Sequence, residues 1–323
     1  MSRLAIVIRA VGNNELLEAT LVSVLENRPA DCQVIVALNG PYSDPYDLKD
    51  EVRFVEAPRG GSSVAAINRA LAATRAPFVH LLASGCAVTE GWADEALSRF
   101  GDRQVACVAP LVIDAANHER VLATGVGYRP SGRRYLAGGG LDPASSEASV
   151  VGPCGFAAFY RKTALDFVGG LSTQLGSRQV DVDLGLVLRR AGFSVALEPG
   201  SRIFACDQVD QGSGSFREAL YDERLFWRNL PRSGRIGAIA AHVGAVTVEL
   251  LASFGRPRMF AQLAARAMAC AQFSAHARHR RALDQLGRHA LQPKAPHKHV
   301  RIDHPHGAAA RTKQPAAAQF QSR

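Results

Sequence analysis

The chain has 323 residues, of which 47% are hydrophobic and 21% charged, so it can bury a large core and is too long for one small module. The 29 glycines and 16 prolines stand in mixed sequence, which excludes a fibrous or low-complexity protein. The net charge of +9 is concentrated at one end, because residues 276–323 carry +8 and residues 1–275 carry only +1. A uniformly basic body, typical of a nucleic-acid-binding domain, is therefore not indicated.

The six cysteines stand far apart and include no Cys-x-x-Cys pair. This spacing predicts reduced, buried thiols, as in a cytosolic protein, because a chain of this size needs no disulfides to fold. The N-terminal residues enter an apolar run at residues 4–8 without the charged and long apolar regions of a signal peptide. We therefore expect a cytoplasmic location.

The first 110 residues alternate between strand and helix patterns. Short continuous apolar runs indicate strands that are buried on both faces, and helical spacing of apolar residues indicates the helices between them. The predicted strands are residues 4–8, 33–38, 52–56 and 78–82, with one helix capped by Asn13 or Asn14 and another capped by a serine after Gly60-Gly61. This repeating unit predicts a doubly wound α/β fold with helices on both faces of a mostly parallel sheet.

The middle of the chain is less regular. We predict a helix over residues 92–100, a strand over 105–113, an interrupted strand over 150–160 and a helix over 181–191. Residues 125–149 are rich in Gly, Ser and Pro and contain Arg129, Arg133 and Arg134, which predicts a long basic loop.

Residues 236–254 form an apolar stretch of nineteen residues, close to the ~20 needed to cross hydrocarbon. However, Arg235, His242, Glu249 and Arg256 recur every seven residues and so lie along one seam of a helix. A narrow polar stripe favours a helix that lies on a membrane surface or packs on the domain over one that spans the bilayer. We therefore predict a helical extension over residues 231–290.

The composition after Arg278 predicts a disordered basic tail, which we place at residues 291–323. Its excess of Lys and Arg would attract an anionic membrane surface, and no pattern in it indicates specific nucleic-acid binding. The expected location is thus cytoplasmic and peripheral on the inner face of the cell membrane.

Several short motifs follow one another along residues 4 to about 230. They resemble, in order and spacing, the inverting family 2 glycosyltransferases, which have the GT-A fold. The segments that carry this resemblance are the first strand ending in Arg9, Asn39-Gly40 after the second strand, Asn68 in a helix, Tyr160-Arg161-Lys162, Val168-Gly169-Gly170-Leu171, Asp181-Val182-Asp183, and Arg189-Arg190-Ala191-Gly192-Phe193.

The resemblance implies a GT-A-like domain over residues 1–230 that transfers a sugar from a nucleotide-sugar donor to a hydroxyl of a glycan or lipid-linked acceptor. By position, Asp181 would be the catalytic base, with Asp183 beside it. The alternative is that both carboxylates only stabilise the start of a helix, where the helix dipole favours negative charge.

One departure from the family concerns the metal. The family's fourth strand ends in an Asp-x-Asp motif that holds Mn or Mg against the donor diphosphate, whereas this chain reads Ala83-Ser84-Gly85-Cys86. We therefore name no metal ligands, and the diphosphate charge would fall to arginines, which make charge-assisted bonds to phosphate. The candidate nucleotide-sugar-binding residues are Arg9, Asn39, Arg59, Gly60, Gly61, Asn68, Ser84, Arg133 and Arg134.

Two functions remain open at this point. One is an active, metal-independent glycosyltransferase of the hexosyltransferase type. The other is a catalytically inactive relative that keeps the fold and acts as a binding or scaffold protein in glycan assembly.

Overall fold

A computed structural model describes residues 2–10, 13–139, 150–206 and 215–290, with side chains described as far as residue 286. The predicted disordered tail and part of the predicted basic loop, residues 140–149, lie outside the described residues.

Eleven strands and nine α-helices occur in the described residues, joined in places by short 3₁₀ turns. The strands are β1 (Leu4–Arg9), β2 (Cys32–Leu38), β3 (Val52–Glu56), β4 (Phe78–Ala83), β5 (Cys86–Val88), β6 (Val105–Asp114), β7 (Val121–Ala123), β8 (Gly125–Tyr128), β9 (Arg134–Ala137), β10 (Ala157–Arg161) and β11 (Ser194–Ala205). The helices are α1 (Asn14–Asn27), α2 (Ser63–Ala72), α3 (Trp92–Ser98), α4 (Lys162–Val168), α5 (Val180–Arg190), α6 (Phe216–Asn229), α7 (Arg235–Ala252), α8 (Arg258–Ala271) and α9 (Phe273–Ala290).

The main sheet has the order β3-β2-β1-β4-β10-β6-β11-β5, with β7 paired to β6. The first four strands are parallel, and so is the β6–β11 pair. Strand β10 runs antiparallel between β4 and β6. The predicted mostly parallel, doubly wound sheet is confirmed, and β1 is the strand from which the chain proceeds first to one side and then to the other.

Alternation along β1 creates the two core layers. Leu4, Ile6 and Ile8 pack in one apolar cluster together with α1, whereas Ala5 and Val7 pack in the other together with α2. Because both faces are covered by helices, the strand sequence is apolar throughout.

Both predicted helix caps are present. The Asn13 side chain accepts a hydrogen bond from the Leu16 amide at 3.1 Å, and the Ser62 hydroxyl accepts one from the Ala65 amide at 3.3 Å. Each bond satisfies a backbone donor that has no partner inside its own helix.

The prediction of an unbroken loop over residues 125–149 is wrong in its first part, where β8 and β9 form an antiparallel hairpin. The glycines that suggested a loop have a packing role here. A Cβ atom on Gly127 would lie 2.2 Å from Cζ of Tyr135, so the strand requires glycine for the ring to lie across it. The predicted strand over 150–160 is shorter than expected, because only Ala157–Arg161 enters the sheet.

The predicted helical extension is confirmed as α7, α8 and α9. Its last helix is integral to the main core, because Leu283 and Leu286 are each 1% exposed and belong to the same apolar cluster as Ala5 and Val7. Among the described helices, α7 is the one whose length and composition suit a membrane span. Only 11% of its residues are buried, so it is not a core helix.

Candidate functional site

An open cleft lies at the carboxyl ends of β1 and β2, next to the point where the strand order reverses. Open α/β sheets bind ligands at this place, because the two flanking helices diverge there and leave a crevice. The cleft encloses about 820 Å³, counted out to its open mouth. Its walls are formed by Arg9, Ala10, Asn13, Asn14, Leu17, Leu38, Asn39, Gly40, Pro41, Tyr42, Ser63 and Ser177.

A second, narrower cavity lies beside the cleft, and only about 30 Å³ of it is open to the centre of a water molecule. Arg9 and Ser177 line both spaces, so the Arg9 side chain stands at their junction. Its Nη2 atom donates a hydrogen bond to the Gly155 carbonyl at 3.2 Å, which fixes the guanidinium at this position. The remaining lining of this inner cavity is mainly apolar: Ile67, Leu81, Leu82, Cys154, Gly155, Ala158, Tyr160, Leu171, Val180, Asp181 and Leu184.

Asp181 is the carboxylate of the inner cavity and is 5% exposed. Its Oδ1 atom accepts hydrogen bonds from Arg134 Nε at 3.1 Å and from the Val182 amide at 2.7 Å. Its Oδ2 atom accepts from Arg134 Nη2 at 2.7 Å and from the Gly155 amide at 3.0 Å. The guanidinium group of Arg134 therefore bonds to both carboxylate oxygens, and each oxygen also accepts a hydrogen bond from one backbone amide.

This arrangement determines what Asp181 can do chemically. A general base must reach the proton that it removes with a free lone pair. In the observed conformation, Asp181 would have to exchange one of its donors for an acceptor hydroxyl. Asp181 both accepts from the Val182 amide in the first turn of α5 and joins α5 to β9 through the ion pair.

Asp183 faces a different part of the molecule. It is 3% exposed and accepts hydrogen bonds from Arg228 Nη2 at 3.1 Å and Asn229 Nδ2 at 2.8 Å. These bonds tie α5 to α6. Asp183 does not line the cleft or the inner cavity, so the structure separates the two predicted catalytic carboxylates.

In the described residues, neither Arg133 nor the predicted glycine-rich loop lines the cleft. Arg133 is directed to the helical extension, where it forms ion pairs with Glu249 and, at 3.8 Å, with Asp222. Arg59 is exposed, and neither it nor Gly60 and Gly61 is among the residues that form the cleft.

Three other predicted binding residues have different environments. Asn39 lies in the cleft wall and is exposed. The Asn68 amide donates to the Leu171 carbonyl at 2.7 Å and accepts from the Leu171 amide at 3.0 Å, which ties α2 to the segment after α4. Ser84 is fully buried at the end of β4, and its amide donates to the Arg9 carbonyl at 3.0 Å.

The structure adds cleft residues that sequence reasoning missed, notably Tyr42 and Ser177. The Tyr42 ring stacks on Phe54 with the ring centroids 5.4 Å apart, so an aromatic surface borders the cleft. The turn Asn39-Gly40-Pro41 directly before Tyr42 was a signal that could have identified it. No comparable pattern marks Ser177.

The inner cavity also contains a cysteine. Burial raises the pKa of the Cys154 thiol to about 11, so it is protonated at neutral pH and is a poor nucleophile. Cys86 is likewise buried, at 2% exposure, and burial raises the pKa of its thiol as well.

The residues at this site do not fit a divalent cation. In the described part of the chain, no three His, Cys, Asp or Glu side chains are grouped so that they could hold a metal. The end of β4 offers Ser84 rather than a carboxylate, and Asp181 is already bound by Arg134.

Comparison with solved structures identifies the fold. The structure of GalNAc-T7 with UDP, GalNAc and Mn2+ matches with a TM-score of 0.56 and 15% identity over 73% of this chain, which spans 49% of that protein. The mannosyltransferase PcManGT from Pyrobaculum calidifontis, solved with GDP-Man and Mn2+, matches with a TM-score of 0.50 and 16% identity over 89% of this chain and 85% of that one. At these identities the likeness shows the fold alone, and it confirms the predicted GT-A-like α/β fold.

No protein-family profile matches the sequence, and no curated protein matches it either. The solved structures nevertheless show that the chain has the fold of nucleotide-sugar glycosyltransferases. Membership of family 2 and the inverting mechanism rest on the motif resemblance and are taken up as a proposal.

Proposed function

We propose that this protein is a glycosyltransferase that binds a nucleotide-sugar donor in the cleft and transfers the sugar, with inversion, to a hydroxyl of a glycan or lipid-linked acceptor. The observation that carries this proposal is the cleft at the strand-order reversal of a GT-A-like fold, with Arg9 at its inner end. Solved proteins of the same fold bind UDP or GDP-Man.

The cleft offers suitable chemistry for each part of such a donor. The Tyr42 ring provides an apolar surface for the nucleobase, and Asn13, Asn14 and Asn39 provide amide groups for its polar edges and the ribose. Arg9 provides the positive charge that a diphosphate needs, both in the bound donor and as charge develops on the leaving group.

For transfer to occur, we infer that Asp181 acts as the base after one of its donors has moved. Arg134 is the donor whose side chain can withdraw, because the other two are backbone amides of Val182 and Gly155. An acceptor hydroxyl would then take the position of the guanidinium and give its proton to the carboxylate, while its oxygen attacks the sugar carbon that bears the diphosphate. The bond from that carbon to the diphosphate oxygen breaks, and the nucleoside diphosphate leaves with the bonding electron pair.

A second candidate is a GT-A-like binding protein that performs no transfer. Its support is the same Asp181 environment: an ion pair in which both partners are about 5% exposed holds the carboxylate away from any substrate. In this proposal the cleft binds a nucleotide or glycan, and the Arg134–Asp181 pair has only a structural role.

Donor binding is tested by calorimetry with UDP and GDP, each with and without Mn2+. We expect binding that does not depend on Mn2+ and that weakens at least about tenfold in Arg9→Gln, because a lost charge-assisted bond in a desolvated site is worth about 1.5–3 kcal/mol. Arg59→Gln is the control, since Arg59 is exposed outside the cleft. A folded protein that binds neither nucleotide would contradict the transferase, and it would leave a glycan as the ligand of the binding protein.

Catalysis is tested with Asp181→Asn in a transfer or donor-hydrolysis assay. We expect the turnover number to fall by about 10²–10⁴, the usual contribution of a general base, while nucleotide binding is kept. Asp114→Asn is the matched control, because Asp114 is also buried and bonded to an arginine, Arg120 at 3.0 Å, but lies in neither cavity.

Asp181→Asn leaves the buried guanidinium of Arg134 without its carboxylate. The double variant Asp181→Asn, Arg134→Gln therefore supplies a second test, in which both charges are removed. Loss of turnover in both variants with nucleotide binding intact supports the transferase. A wild-type protein that binds nucleotide but shows no turnover with any donor supports the binding protein.

A further inference from the structure

The outward face of α7 consists of apolar side chains. Ile236 is 86% exposed, Val248 68%, Leu251 67% and Val243 57%, and Phe254, just after the helix, is 76% exposed. Single exposed hydrophobic residues are common on protein surfaces, but a contiguous apolar strip on one helix marks an interaction surface.

Two polar residues in the body of α7, His242 and Glu249, point inward instead. His242 is 4% exposed, and its ring nitrogens lie 2.8 Å from the Ser131 carbonyl and 3.1 Å from Glu223 Oε1. Glu249 bonds to Arg266 Nη2 at 2.9 Å and to Arg133. The two middle positions of the heptad pattern seen in the sequence are therefore where α7 is fixed to the protein.

Helix α8 repeats this inverted pattern. Gln262 and Arg266 are buried, at 3% and 7% exposure, whereas Phe260, Leu263 and Met268 are 69%, 43% and 46% exposed. A surface helix of a water-soluble domain has the opposite arrangement, with its apolar stripe toward the core. Two adjacent helices with apolar outward faces indicate that this side of the molecule contacts an apolar medium.

The charges around this surface have one sign. Glu249 is the single acidic residue between positions 225 and 283, and it faces inward. Arg235 at the start of α7, and Arg256 and Arg258 between α7 and α8, are all exposed. In the described residues, neither Arg256 nor Arg258 forms an ion pair with a carboxylate. An apolar face bordered by exposed arginines is complementary to a bilayer with anionic headgroups.

We propose that the outward faces of α7 and α8 dock on the surface of an anionic lipid bilayer, with both helices lying along it. Helix α7 has 18 residues and would be about 27 Å long, close to the thickness of the hydrocarbon. It lies on the surface and does not cross the bilayer, because crossing would break the buried bonds of His242 and Glu249.

A second copy of the chain is a poorer fit, because a twofold contact through this face would bring the same arginines together. The proposal does not depend on nucleotide binding.

The test is flotation of the full chain with vesicles of phosphatidylcholine and phosphatidylglycerol in equal parts, compared with phosphatidylcholine alone. We expect binding to the anionic vesicles and at least a tenfold weaker affinity for the double variant Leu251→Asp, Phe254→Asp. The matched control is Val22→Asp on α1, where an equally apolar side chain is 55% exposed on another part of the surface, and which should bind as the wild type does.

A smaller loss is expected for Arg256→Gln with Arg258→Gln, and this loss should shrink when salt is raised, because salt screens exposed charges. Equal binding by the wild type and the Leu251→Asp, Phe254→Asp variant would overturn the proposal and assign binding to the basic tail. Absence of vesicle binding would also overturn it. So would a lipid-free dimer that the same variant dissociates, or wild-type protein that resists alkaline extraction as a membrane-spanning protein does.

Discussion

The sheet with its flanking helices and the α7–α8 pair distribute their side chains in opposite ways. In the sheet region, strands such as β1 are buried on both faces and polar groups border the cleft. In the α7–α8 pair, His242, Gln262 and Arg266 are buried, while several Phe, Leu, Ile and Val side chains are exposed. Because the same hydrophobic effect acts on both regions, the difference indicates that they are adapted to different surroundings.

The two regions also differ in how their buried polar groups are satisfied. Glu223 bonds to His242, Arg266 and Trp227, so α6, α7 and α8 are joined through one carboxylate. Burial by itself would raise the pKa of Glu223, but these hydrogen bonds and the nearby positive charge hold it below its ordinary value. The helical region is thus fixed by a polar centre, which a sheet with two apolar layers does not need.

The largest effect is expected from breaking the buried ion pair that joins α5, a helix packed on the sheet, to α6, the helix on which α7 and α8 are fixed. Arg228→Ala leaves the Asp183 carboxylate buried without its guanidinium, in a pair whose side chains are 2% and 5% exposed. We expect a loss of about 3–5 kcal/mol in the free energy of unfolding, measured by urea denaturation. Arg232→Ala is the control, because its pair with Asp284 is 62% and 34% exposed, and water screens such a pair so that its loss should cost far less. Equal losses would show that burial does not set the strength of these pairs.

A smaller effect, dependent on pH, is expected in the sheet region. His80 is fully buried in β4 and stacks on Phe159 at a centroid distance of 3.9 Å. Burial lowers its pKa from 6.5 to about 3. As pH falls below 6.5, the unfolded chain binds a proton that the folded protein does not, so stability decreases.

At pH 5 this one group should lower the free energy of unfolding by about 2 kcal/mol relative to pH 7. The measurement is urea denaturation at both pH values for the wild type and His80→Leu. The variant lacks the titrating ring, so its loss between pH 7 and pH 5 should be smaller by about that amount. A pH dependence unchanged by the substitution would show that His80 is protonated in the folded protein.

The smallest effect is expected on the outward face of α7. Val243→Asn changes a side chain that is 57% exposed, so the free energy of unfolding in lipid-free solution should change by less than about 0.5 kcal/mol. Ala238→Asn on the same helix places an amide at a position that is 4% exposed and should cost about 1–3 kcal/mol. A large loss for Val243→Asn would mean that this face is covered by the protein itself.

The sequence predicted the parallel half of the sheet closely. Short apolar runs between capped helices are compatible with few structures other than buried parallel strands. The predicted strand over residues 52–56 coincides with β3, and those over 4–8 and 78–82 are each one residue shorter than β1 and β4. Two of the candidate residues named from the sequence, Arg9 and Asn39, line the cleft.

Other features had no local signal. The antiparallel insertion of β10 between β4 and β6 depends on tertiary pairing. The Arg134–Asp181 pair joins residues that are 47 positions apart, and neither side chain is unusual in its own segment. For α7, the heptad seam was visible in the sequence, but spacing alone does not tell which side of a helix faces the protein.

The packing of α9 has a consequence for the order in which the protein is made. Leu283 and Leu286 complete the apolar layer that contains Ala5 and Val7 of the first strand. During synthesis the first strand leaves the ribosome long before these two leucines, so that layer stays incomplete until α9 has emerged. A ribosome stalled before residue 283 should therefore present a nascent chain that is more sensitive to protease and more strongly bound by chaperones than one stalled after residue 290.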